Sequence, residues 1–229
     1  MKYGTINLGQ IEAAINKLGG QDVFERLLTC NSVNVTFSDG NAEVVARDPI
    51  TSVWKTITIG SAFDEEIVNC ARKLLNLPDG AKVDRQEHAA LLFSLTFKER
   101  GINVGTWAAD IMKQDAFTVS PSVQQVSLAN LSVREMGFTG PTRFDTICQW
   151  IKEHGELCQA EDGPQLRLQY EGQPLGEWIR VAIKPIRDSA GDLDVFYVGH
   201  NNGGLWLRID DVRPGILWHP DCRFVVRVL

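Results

Sequence analysis

The last third of the chain is written in two-residue periods. In Trp178–Lys184, the apolar Ile179, Val181 and Ile183 alternate with Trp178, Arg180 and Lys184. Leu205, Leu207 and Ile209 alternate with Trp206 and Arg208, and Phe224, Val226 and Val228 with Arg223 and Arg227. Gln165–Tyr170 follows the same rule, with Leu166, Leu168 and Tyr170 set against Gln165, Arg167 and Gln169. Side chains two apart share one face of a strand, so each segment reads as a strand with one apolar and one polar side. Asp194–His200 is apolar on both parities and reads as central. The turns Asp188-Ser189-Ala190-Gly191 and Asn201-Asn202-Gly203-Gly204 are short, which predicts an antiparallel meander. Its apolar side is expected to pack under a helix over 143–154, where Phe144, Ile147, Cys148 and Ile151 recur at helical spacing before Gly155.

Upstream the pattern is mixed. Ile11, Ala14, Ile15 and Leu18 predict a helix that ends at Gly19-Gly20, and Asp22 opens a second over 23–28. Val33–Phe37 and Glu43–Arg47 flank Ser38-Asp39-Gly40-Asn41 and predict a hairpin. Asp48-Pro49 breaks the chain, so a boundary falls near residue 50. A strand follows at 53–59, then apolar stripes of three helices: Phe63, Ile67, Cys70, Ala71 and Leu74; residues 88–98; and Trp107, Ala108, Ile111 and Met112. The expected class is α+β. A small N-terminal α/β and helical region (1–120) precedes a C-terminal antiparallel sheet domain with one packed helix (121–229).

No apolar run reaches the roughly 18 residues of a spanning helix, and Met-Lys-Tyr-Gly-Thr-Ile-Asn is not a secretory leader, so a cytoplasmic location without membrane contact is expected. The five cysteines form no C-x-x-C pair and read as reduced thiols. A net charge of −6 argues against a whole-surface polyanion binder. Locally the signs separate. Residues 165–229 hold eight Lys or Arg and eight Asp or Glu, the bases mostly inside strands and the acids Asp188, Asp192, Asp211 and Asp221 in turns.

The polar parity therefore predicts a cationic, aromatic sheet face made of Arg167, Gln169, Trp178, Arg180, Trp206, Arg208, Arg223 and Arg227. Trp and Arg are typical interface anchors, so an acidic protein partner is the first expectation. Single-stranded nucleic acid or a nucleotide is the second, by stacking and phosphate contact. A purely structural face, solvated or covered by the rest of the chain, is the plain alternative.

Catalytic patterns are sparse. His200 beside a glycine-rich turn, with Cys158 and Glu161, offers a formal hydrolase constellation. Asp188, Asp192 and Asp194 lack the distal Glu of a calcium loop, and four scattered histidines make no metal site. There is no Walker loop, G-x-G-x-x-G or G-x-S-x-G elbow, and no cofactor is expected.

Several segments resemble a group of uncharacterised bacterial proteins found in metagenomic and candidate-phylum genomes. They are Glu156-Leu157-Cys158, Gly163–Tyr170, Gln173-Pro174-Leu175-Gly176-Glu177-Trp178, Gly204-Leu205-Trp206-Leu207 and Arg223-Phe224-Val225-Val226-Arg227, with Gln10-Ile11-Glu12-Ala13 and Asn16–Gly20 near the start. The resemblance is best over 125–229. It implies a bacterial or mobile-element origin and assigns no catalytic residue.

Overall fold

The structure is a computed structural model that describes residues 33–38, 41–46 and 49–228. The chain divides into two units, Met1–Thr51 and Ser52–Leu229. The helices expected at 11–18 and 22–28 lie outside the described residues. In the first unit, β1 (Val33–Ser38) and β2 (Asn41–Ala46) form the expected antiparallel hairpin, with Val35 opposite Val44.

The second unit is a mixed α+β fold around one eight-stranded sheet. Its strands are β3 (Lys55–Ile59), β4 (Asn103–Val104), β5 (Gln124–Ser132), β7 (Trp178–Val181), β8 (Ile186–Arg187), β9 (Leu193–Asn201), β10 (Gly204–Asp211) and β12 (Arg223–Arg227). They lie in the order β3-β5-β12-β7-β9-β10-β4, and β8 pairs with β9. A small ladder joins β6 (Thr142–Arg143) to β11 (Leu217–Trp218). The helices are α1 (Glu65–Leu74), α2 (Ala89–Glu99), α3 (Thr106–Ile111), α4 (Phe144–His154) and α5 (Asp162–Gln169). No helix among the described residues is long and apolar enough to cross a membrane.

Two expectations are corrected here. The sheet does not begin after residue 120, because β3 and β4 belong to it. Nor is it a pure antiparallel meander. β7, β9 and β10 do follow one another, but β12 returns to lie parallel to β7, and β4 lies parallel to β10.

The larger correction is at 165–170, which is helix and not strand. Every residue from Asp162 to Leu168 is buried, so α5 has no polar side to reveal a helical period. The Leu166–Leu168 spacing then imitates strand alternation. Pro164 suits a first turn, where no amide donor is required. A side chain at Gly163 would come within 2.8 Å of the Phe196 ring, so glycine sets how closely α5 lies on β9.

The sheet is covered on both faces. On one, Phe196 of β9 meets Phe117, which meets Phe93 of α2. On the other, Phe144 of α4 and Trp218 of β11 pack on Phe224 of β12. Phe224 is the cross-strand partner of Arg180, so α4 lies on the Arg180 side of the sheet and not under the Ile179–Val181 side, which corrects the expected packing. At the β3 margin, Gln169 completes the edge. Its Oε1 accepts the Thr58 amide proton at 2.8 Å and its Nε2 donates to the Thr58 carbonyl at 2.7 Å.

Candidate functional site

The register of the central strands builds one distinctive surface. Trp178 lies opposite Gly199, and Gly199 opposite Trp206. Arg180 lies opposite Tyr197, and Tyr197 opposite Arg208. Cross-strand partners share a face, so two rungs, Trp178–Gly199–Trp206 and Arg180–Tyr197–Arg208, stand side by side. All five side chains are half-buried. Glycine at 199 is required, because a Cβ there would overlap the Trp178 ring. That ring lies over Gly199 and meets Tyr197 edge-on at 5.5 Å between centroids.

The two arginines differ in what they have left to offer. The Arg180 Nε donates to Asp210 Oδ2 at 2.7 Å, and its guanidinium lies 5.1 Å from the Trp218 centroid. Burial raises the Asp210 carboxyl above its ordinary range, with Arg180 opposing the rise. The Arg208 guanidinium lies 4.0 Å over the Trp206 ring, and among the described residues it makes no hydrogen bond or ion pair. Trp206 Nε1 donates to Asn201 Oδ1 at 2.9 Å, which fixes the indole plane. The result is an aromatic ladder with one uncommitted guanidinium on a flat platform.

Four of the eight expected face residues therefore come together: Trp178, Arg180, Trp206 and Arg208. The other four do not. Arg167 is fully buried on α5, donating to Gln173 Oε1 and to the carbonyls of Tyr170 and Gly199. Gln169 is spent on Thr58. Arg223 and Arg227 point to the opposite face, since their neighbour Phe224 is the residue paired with Arg180. Arg223 bonds Asn130, and the buried Arg227 makes a two-pronged pair with Asp162 at 2.7 and 2.8 Å. Parity within each strand held, but it does not say which parity of β12 adjoins which parity of β7. Phe224, Val225 and Val226 are all fully buried, so both faces of β12 are core. Tyr197 is the face residue that parity alone missed, because β9 is apolar on both sides.

The hydrolase constellation is not assembled. Cys158 bridges to Ile183, whereas the His200 amide bonds Glu177. Those anchors, Glu177 and Ile183, are six residue steps apart along β7 and its flanks, roughly 15–20 Å at ~3.3 Å per residue. Cys158 is buried, and that burial pushes its thiol pKa well up, the wrong direction for a nucleophile. His200 Nδ1 is bonded to the Gln173 carbonyl oxygen at 2.6 Å. Glu161 is wholly buried among donors: the amides of Gly60 (3.1 Å) and Ser120 (2.6 Å), Gln165 Nε2 (3.1 Å) and the Arg85 guanidinium. It ties three loops to α5.

Asp188 and Asp192 of the turn before β9 stand near Asp194 at the start of β9 and its cross-strand partner Asp211 at the end of β10. Arg213 pairs with Asp192 at 3.0 Å, and its Nε donates to Asp211 at 2.7 Å. Among the described residues no three His, Cys, Asp or Glu side chains converge as metal ligands. Asp194 is buried, its Oδ2 has no partner, and burial with the neighbouring carboxylates of Asp188, Asp211 and Asp192 raises its pKa to about 6. The native state holds this proton more tightly than the unfolded chain, so stability falls as pH rises from about 4 to about 6. Solvent around Arg213 reduces the effect to about 1–2 kcal/mol. Asp194→Asn is expected to remove the Asp194 share of that slope and leave the share of Asp210, measured by urea unfolding between pH 4 and 7.

Compared with known families, characterised proteins and solved structures, the chain matches none.

Proposed function

We infer that this is a non-catalytic binding protein whose Trp178–Tyr197–Trp206 ladder docks an acidic protein partner. The observation that carries the reading is Arg208, a half-buried guanidinium stacked on Trp206 with no hydrogen-bond or ion-pair partner among the described residues. Tryptophan, tyrosine and arginine together are the composition of binding hot spots. A stacked guanidinium is already oriented, so a partner carboxylate meets it at a small entropic cost. The single uncommitted charge favours a protein over a polyanion. A nucleic-acid strand needs several phosphate contacts, and Arg180 already serves Asp210.

The test places a photo-crosslinking residue at Tyr197 in the full chain, expressed in a bacterial cell. The expected product is a crosslink to one acidic protein. Against that purified partner, Arg208→Ala is expected to weaken binding about 10- to 30-fold, and Trp206→Ala at least as much. Crosslinking confined to nucleic acid would replace this reading with the single-strand one. Unchanged affinity in both variants would remove the ladder from the interface.

A further inference from the structure

We propose that the hollow beside α4 binds a small organic acid, an apolar body carrying one carboxylate. The hollow encloses about 290 Å3 between α4, the segment at 184–185 and the adjoining ends of β9 and β10. That is close to the ~300 Å3 at which small-molecule sites begin, so its occupant is smaller than a typical drug. Phe144, Leu157, Leu193 and Val212 give it apolar walls. Cys148 adds to them: burial pushes its thiol up to about 12, so it stays uncharged at neutral pH.

The charge at the rim is one-sided. Lys152 and Lys184 line it, both exposed, and among the described residues neither makes a hydrogen bond or ion pair. Asp145 also lines it, but both of its oxygens are held by Arg143, at 3.1 and 2.6 Å, and one also accepts the Thr146 amide. Two free ammonium groups thus stand over an apolar floor. Among the described residues no arginine lines the hollow, so they do not supply the forked contact that favours phosphate. A carboxylate at the rim with its hydrocarbon below satisfies both halves of the site.

Octanoate is the probe and octanol its uncharged control, titrated into the full chain by calorimetry. Octanoate is expected to bind once, and Cys148→Trp, which fills the hollow, is expected to abolish that binding. The Lys152→Met/Lys184→Met variant removes charge but keeps the apolar stems. It is expected to weaken octanoate by about tenfold and octanol hardly at all. Lys184→Glu alone, a change at an exposed position, is expected to weaken octanoate in the same direction. Three results would each overturn the proposal: no binding at millimolar octanoate, equal losses for acid and alcohol, or octanoate binding that Cys148→Trp leaves unchanged.

Discussion

Arg227→Met is expected to cost about 3–5 kcal/mol of folding stability, the largest single-residue effect outside the apolar core. Asp162 is fully buried at the start of α5, and Arg227 closes both of its oxygens. Asp162 also accepts the Gln159 amide at 2.9 Å. Removing the guanidinium strands a carboxylate against β12, where water cannot reach it. Asp162→Leu on the same background is expected to return most of the loss, since two apolar groups leave no orphaned charge. Urea unfolding checks both, with the midpoint moving and the slope unchanged. A double variant no better than Arg227→Met would mean that the pair holds α5 in place by shape and not by charge.

Glu161→Gln is expected to cost about 3–4 kcal/mol, for a different reason. The carboxylate accepts from four donors and donates nothing. An amide of the same shape turns an N–H2 toward groups that are themselves donors. The Arg85 guanidinium, already carrying an unpartnered buried Nε, loses its counter-charge. The damage should be local before it is global. Amide exchange at Gly60 and Ser120 is expected to speed up by more than that of the β9 and β10 amides. Uniform acceleration would show that the hub has no separate local role.

How much of this was readable beforehand differs from element to element. The helix at 144–154 shows its amphipathic stripe and β7 its alternation, because each has a more buried and a less buried side, while β10 alternates in sequence although only Leu207 of it is fully buried. The platform residues Trp178, Arg180, Trp206 and Arg208 followed from that contrast. α5 and β12 have no wet side, and there the periodic signal vanishes. Arg167 and Arg227 misled for the same cause. A long cationic side chain reads as surface until a buried acceptor set is known, and those acceptors come from residues far along the chain, such as Gly199 and Asp162. The hollow beside α4 had no sequence signature, since its walls come from α4, β9 and the chain after β10.

The amide of Gln169 behaves as a stopper. By occupying both hydrogen-bonding groups of Thr58, it denies a passing polypeptide the foothold from which sheets grow between molecules. One side chain at the end of a short helix thereby closes that rim to strand addition at Thr58.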